Sequence, residues 1–238
     1  MMTRSISITT PDETAADGVV LVPGRAAWVP AASTVLLADL HLGKAAAFRR
    51  AGIPVPEGSA AADLDRLASL VRRLRPSRVV VLGDLFHARE GMTAAVEEQF
   101  RAGRAALGDV EVVLVEGNHD TRIRDRLARL GLDGHVSRLV LPPLVLVHDP
   151  LAEPVTAGML VVGGHHHPRV TVRAPSGDRI TERCFLAAGG RLVLPAFGSF
   201  TGGGPLAPPA DARVWMARDD VVVEVTRLLR LAAGGREA

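Results

Sequence analysis

The chain has 238 residues, is 47% hydrophobic and 23% charged, and carries a formal net charge of +2, a balance that excludes a disordered or low-complexity protein. No apolar run reaches the roughly 18–20 residues of a bilayer-spanning helix, and the polar, acidic stretch Met1 to Asp17 lacks the apolar core of a signal peptide. The single cysteine, Cys184, rules out an internal disulfide and fits a reducing cytoplasm.

From these bounds the expectation is a cytoplasmic protein without membrane attachment. The length allows one large domain or two small ones, and the lack of any linker long or polar enough to divide the chain favours one domain over 1–238. Its basic charge is nearly all arginine, with Lys44 the one lysine. The clusters Arg72, Arg73, Arg75, Arg78 and Arg122, Arg124, Arg126, Arg129 read first as solvated helix faces and speak only weakly for nucleic acid.

In chain order, the first apolar β-branched run is Thr34 to Ala38, followed by a helical stretch at Ala45 to Ala51. A second helix over Ala60 to Leu74 carries Leu64, Leu67, Leu70, Val71 and Leu74 on one stripe, with Asp63 and Asp65 near its start and Pro76 to stop it. Arg78 to Leu82 is the next strand, Thr93 to Leu107 the next helix, and Val110 to Val115 the third strand. Strands at Leu144 to Val147 and Met159 to Val162 follow. After Gly131 the helical signal fades, and short strands are expected at Val170 to Val172, Arg183 to Leu186, Arg191 to Leu194, Ala212 to Met216 and Val221 to Val225. Leu228 to Ala238 reads as a frayed tail. Uniformly apolar strands alternating with helices imply an α/β fold with strands covered on both faces and functional groups at their carboxyl ends. The later short strands imply a second sheet packed on the first.

Five of these runs end in residues that can hold metal. Asp39-Leu-His41 offers a carboxylate and an imidazole two residues apart, which an extended backbone aims to one side. The Gly43-Lys44 that follows lacks the earlier glycine of a nucleotide P-loop, so that reading is rejected. Gly83-Asp84-Leu-Phe-His87 offers a carboxylate able to bridge two cations. In Gly117-Asn118-His119-Asp120 the amide oxygen suits a ligand, His119 is free to move a proton, and Asp120 is placed to orient that imidazole. A tight turn is the competing reading of that tetrapeptide. His148-Asp149-Pro150 and Gly164-His165-His166-His167-Pro168 complete the set, with His165 and His167 aimed together and His166 elsewhere. Seven of the eight histidines lie in or beside these motifs, and only His135 stands outside. Five motifs in order, each at a strand end, outweigh the chance that any one of them is a turn.

The ordered blocks resemble the signature of the calcineurin-like metallophosphoesterases. That resemblance implies two packed β-sheets flanked by helices and two divalent metal ions. By it, Asp39, His41 and His167 would hold one ion, Asn118, His148 and His165 the other, and Asp84 would bridge them. His119, with Asp120 as its partner, would match the catalytic histidine. Narrower blocks resemble the ligase-associated DNA damage response endonucleases. These are Ala38-Asp-Leu-His-Leu-Gly-Lys44, Phe48-Arg49 with Gly52-Ile-Pro-Val-Pro56, Leu82-Gly-Asp-Leu-Phe-His87 and Leu194-Pro-Ala-Phe-Gly198. This likeness implies a Mn-dependent phosphodiesterase acting on DNA beside a helicase, an exonuclease and an ATP-dependent DNA ligase. His87 stands where many members of the broader family have Asp, and is expected to touch substrate or a ligand rather than metal. Lys44 and Arg49 are candidates for a substrate phosphate.

An oxygen- and imidazole-rich set suits Mn, Fe or Zn. The expected reaction is in-line attack on a phosphodiester, with His119 serving the leaving oxygen. Gly198-Ser199-Phe200 lacks the pattern of a serine nucleophile elbow. Alternatives are a phosphatase, a phosphodiesterase for small nucleotides, and a catalytically silent metal-bearing scaffold for repair partners.

Overall fold

The computed structural model describes residues 6–11, 18–173, 176–204 and 207–234, so most of the stretch Met1 to Asp17 lies outside the described residues. The first sheet has seven strands in chain order: β1 (Ser7–Thr9), β2 (Gly18–Val22), β3 (Ala26–Val29), β4 (Thr34–Leu37), β5 (Arg78–Leu82), β6 (Glu111–Val115) and β7 (Gly134–Val136). Strands β4 to β7 are parallel, while β2, β3 and β4 are joined as antiparallel hairpins. The parallel crossovers carry α1 (Lys44–Arg50), α2 (Ser59–Leu74), α3 (Ala94–Ala105) and the single turn α4 (Arg124–Leu127).

The second sheet is built from β8 (Leu139–Leu141), β9 (Leu144–Leu146), β10 (Leu160–Gly163), β11 (Arg169–Arg173), β12 (Arg179–Ala188), β13 (Arg191–Val193), β14 (Arg213–Ala217) and β15 (Val222–Glu224). Its order is β15-β14-β12-β13-β10-β9-β8, with β11 paired to β12.

Residue-by-residue alternation explains the layering. Along β5, Val79 and Val81 face the helices with Leu64, Leu67 and Phe100, whereas Val80 and Leu82 face the second sheet with Leu144, Val162, Phe185 and Trp215. A strand apolar on both faces has nowhere to sit but between two layers. Val80 and Leu82 are each 0% exposed, and burying such a side chain stabilises the fold by about 1.5–3 kcal/mol. The expected α/β architecture of two packed sheets flanked by helices is the one observed.

Two expectations change. No strand was expected before Thr34, yet β1, β2 and β3 extend the first sheet there. Gly, Pro and Ala interrupt these runs and weaken their period. The tail expected from Leu228 is instead α5 (Thr226–Gly234), with residues 235–238 outside the described residues. Thr226 is buried and accepts from the Val214 N–H at 2.9 Å. Leu229 packs on a third cluster formed by Val170, Cys184, Leu186 and Val214. Among the described residues no helix is long and apolar enough to cross a membrane.

Candidate metal centre

All five motifs lie in loops leaving carboxyl ends of strands. Asp39 and His41 follow β4, Asp84 follows β5, Asn118 and His119 follow β6, His148 follows β9, and His165 and His167 follow β10. The backbone there is not the extended one that the two-residue spacing suggested. Asp39 (φ 54), His41 (φ 48), Asp84 (φ 47), His165 (φ 68) and His167 (φ 44) are all left-handed, which corrects that expectation. Such conformations cost roughly 1–3 kcal/mol each and persist where the surroundings over-determine them. Here the loops hold one another: the Asp39 N–H donates to the Gly83 carbonyl at 3.1 Å, His41 N–H to Asp84 at 2.8 Å, and Gly198 N–H to Asp39 at 3.1 Å.

The glycines beside Asp84 and Asp39 leave room for these carboxylates. A Cβ on Gly117 would lie 2.2 Å from Asp84 Oδ1 and 2.4 Å from the Asp84 nitrogen, and one on Gly164 would lie 2.3 Å from Asp39 Oδ2.

The side chains converge as two groups sharing one wall. Asp39, His41 and His167 bring one donor atom each within 4.8 Å of one another, and so do Asp84, His148 and His165. Asp84 Oδ2 stands between the groups, 3.6 Å from His41 Nε2 and 3.6 Å from His148 Nε2. Asn118 Oδ1 joins the second group, 3.1 Å from His148 Nε2, and His165 Nδ1 is 3.0 Å from that same nitrogen. His148 Nδ1–H donates to the Leu82 carbonyl at 3.0 Å, which leaves its Nε2 lone pair facing the centre. His166 turns away to Asp149 at 2.8 Å.

Burial, reinforced by His167 and Lys44, holds the His41 pKa down to about 2, and burial with His148 lowers that of His165. Neutral imidazoles are the form that binds metal.

The fit to cations rests on one atom in particular. Asp39 is 0% exposed and its Oδ1 has no hydrogen-bond partner, although it lies 3.5 Å from His167 Nε2. An ionised carboxylate oxygen left unpaired in the interior costs several kcal/mol unless a cation or donor meets it. Cys184 is buried in the third cluster and belongs to neither group.

Two candidates, Asp120 and Arg49, sit differently from expectation. The Asp120 carboxylate makes its hydrogen bonds to backbone N–H groups, not to the His119 ring. It is 0% exposed and accepts from Gly117 at 2.9 Å, Leu85 at 3.1 Å and Phe86 at 3.5 Å. It therefore ties the loop bearing Asn118 and His119 to the loop bearing Asp84, and burial pushes its pKa up to about 6.

His87 lies against two imidazoles of the site. It stacks on His119 with centroids 5.2 Å apart, and its Nδ1 is 3.5 Å from His41 Nδ1. With His41 and His119 it forms a third group within metal-holding distances. Burial and the Lys44 charge lower its pKa to about 4, so at neutral pH it can accept the proton of His41 Nδ1.

Arg49 is committed to its own loop, donating to the carbonyls of Val55 at 3.4 Å and Pro56 at 3.2 Å and pairing with Glu57. Lys44 remains beside the centre, at the start of α1.

His119 itself holds Asp84 through its backbone, donating to Oδ1 at 3.0 Å, while its ring is part-exposed with Nε2 3.9 Å from Asp84 Oδ2.

Sequence reasoning left unassigned the clamp on the loop after β13. Arg183 donates to the carbonyls of Gly198, Ser199 and Thr201, and Asp63 accepts from the Ser199 N–H at 2.9 Å. Asp63 also pairs with Arg66 at 2.9 Å. The one available signal was an acidic residue on the apolar stripe of α2, buried in the structure.

Two layers of strands with such loops at one end define a metal-dependent phosphoesterase. The chain belongs to the calcineurin-like phosphoesterase family, whose model matches residues 32–191; members hold two divalent metal ions. Among solved structures, it is similar to the Pseudomonas putida nuclease MPE, with 31% identity, a TM-score of 0.71, and coverage of 87% of this chain and 94% of that one. A phosphoesterase from E. coli, Yfce, is more distant, at 19% identity and a TM-score of 0.41 over 79% of this chain and 90% of that one. Comparison with curated proteins returned no match.

Proposed function

We propose that this protein is a two-metal phosphodiesterase acting on DNA as an endonuclease. The observation that carries the site is Asp84 Oδ2, equidistant at 3.6 Å from an imidazole of each group. In this reading Asp39, His41 and His167 would hold one ion and Asn118, His148 and His165 the other, with Asp84 shared between the two groups. Two bound divalent ions supply Lewis acidity, activating water and neutralising charge on the phosphoryl oxygens.

The chain's own residues do the rest. His148 is fixed by the Leu82 carbonyl and Asp84 by the His119 backbone N–H. The part-exposed His119 ring is the group placed to give a proton to the leaving oxygen. Asp120 braces the loops that carry these residues. Lys44 stands where a phosphate of the substrate would pass.

The donor set is oxygen and imidazole without thiolate, which suits Mn, with Fe or Zn as other occupants. The DNA reading is supported by the 31% identity to a nuclease and by the narrower sequence blocks. A role in DNA repair beside a helicase, an exonuclease and an ATP-dependent DNA ligase rests on those blocks alone, and a cytoplasmic setting on the single cysteine.

A Mn-supplemented comparison of single-stranded, duplex and nicked DNA against cyclic nucleotides tests the reading. Cleavage of internal DNA bonds with a steep inverse salt dependence is expected. Salt-insensitive turnover of a small nucleotide with DNA left intact would replace the reading with a nucleotide phosphodiesterase. Inertness in wild type and His119→Ala alike, at full metal loading, would favour the scaffold.

A further inference from the structure

Aromatic residues are scarce in this chain: six Phe, two Trp and no Tyr. Phe86, Phe100, Phe185, Phe197 and Trp215 are buried in the two main core clusters, and Trp28 packs against the first. Phe48 and Phe200 join neither cluster and are only partly buried. A large ring left partly in water beside a polar site is the informative exception to core burial.

These two rings meet edge to face, 5.6 Å between centroids at 79°. Phe48 in turn meets His87 at 6.2 Å and 76°, and His87 stacks on His119. A row of rings thus leads from the proton-moving histidine out to Phe200.

The outer ring is held in place. Arg183 donates to the carbonyls of Gly198, Ser199 and Thr201 at 3.0, 2.8 and 2.9 Å, anchoring the backbone on both sides of Phe200. Phe48 is fixed on α1, and the Lys44 ammonium lies 6.0 Å from its centroid. No carboxylate pairs with Lys44 among the described residues. A fixed aromatic edge, a cation with no carboxylate partner among the described residues and a phosphoester-cleaving centre in one row match the alternation of base and phosphate in a nucleic-acid strand.

We propose that Phe48 and Phe200 form a base-binding platform, on which a nucleobase next to the scissile phosphate stacks while Lys44 meets a neighbouring phosphate. This deepens the nuclease reading and rests on it. Stacking is tolerant of base identity because every base has a π-face. The platform therefore positions the strand without reading its sequence, and it requires the base it holds to be unstacked from its neighbours.

The test uses the full chain, loaded with Mn, on an oligonucleotide with one mapped cleavage position. The same oligonucleotide is then given a tetrahydrofuran abasic residue on either side of that position in turn. For wild type, one of the two abasic substrates is expected to lose about 5- to 150-fold in kcat/KM, the range of one base–aromatic stack. Phe200→Leu keeps apolar bulk and removes the π-face, so the ratio should collapse towards unity, and Phe200→Trp should restore it. If Phe200→Leu fails to fold by thermal melting, Phe48→Leu carries the same comparison.

An undiminished ratio in the Leu variant overturns the platform, as does a wild-type enzyme that cleaves DNA but ignores both abasic residues. Hydrolysis of bis-p-nitrophenyl phosphate with no oligonucleotide cleaved would instead sink the nuclease reading, and the platform with it.

Discussion

Replacing Asp120 with alanine separates two roles for that carboxylate. The sequence suggested that it orients the His119 ring; the structure gives it three backbone N–H groups instead. Asp120→Ala strands the two close donors, Gly117 at 2.9 Å and Leu85 at 3.1 Å, in a site with 0% exposure. An unsatisfied buried donor costs about 1–3 kcal/mol, so the gross loss is about 2–6 kcal/mol.

Some of this is offset at neutral pH. Burial lifts the Asp120 pKa from 3.8 to about 6, so its ionised form is disfavoured by about 3 kcal/mol relative to the unfolded chain. For an acid with a raised folded pKa, the favourable contribution is full below the unfolded pKa and is lost as pH rises through the folded one. The net change at pH 7 should therefore lie between a gain of about 1 and a loss of about 3 kcal/mol. Near pH 4, where the offset nearly vanishes, the loss should approach the full value of about 2–6 kcal/mol, about 3 kcal/mol more than at pH 7. Urea unfolding of chelator-treated wild type and variant at both pH values measures this. A stability change within about 0.5 kcal/mol at both pH values, together with a large fall in kcat, would refute the bracing role and restore the orienting one.

Gly117→Ala should weaken metal binding by about 10- to 100-fold, the range for disturbed support of a ligand. Its Cβ would sit 2.4 Å from a backbone nitrogen, which cannot swing aside; isothermal titration with Mn checks it, and unchanged affinity would contradict the close approach. Cys184 should resist thiol reagents in the folded state, because burial pushes its pKa up to about 12. A raised thiol pKa also means that stability falls as pH climbs from 9 towards 12, since only the unfolded chain ionises there. Rapid labelling at pH 8 without unfolding would show that the thiol is accessible.

The sequence made the metal-bearing loops legible because apolar runs and metal-binding residue types are both local signals. Val79 to Leu82 reads as a two-faced strand and Asp84 follows it in the chain, so placement needs no long-range information. The same holds for His148 and His165. Three things escaped because they depend on the fold. The left-handed backbone at Asp39, His41, Asp84, His165 and His167 leaves no trace in residue type beyond the tolerance of Asp and His for it. Asp120 is adjacent to His119 in sequence, but its partners Leu85 and Phe86 lie 35 and 34 residues away. The pairing of Asp63 with Ser199 spans 136 residues. The first three strands were missed because Gly18, Pro23 and the alanines around Trp28 dilute their pattern, and tertiary pairing supplied what propensity did not.

The claim that Asp84 joins two ions in one catalytic centre is tested most directly by metal content and turnover measured on the same samples. Elemental analysis of Mn-reconstituted wild type should give two ions per chain, with hydrolysis of bis-p-nitrophenyl phosphate abolished by chelation. Asp84→Ala should lose both the second ion and the activity, whereas His119→Ala should keep both ions and lose about 100- to 10,000-fold in kcat. Two tightly held ions in Asp84→Ala, or turnover that survives complete metal removal, would contradict the account.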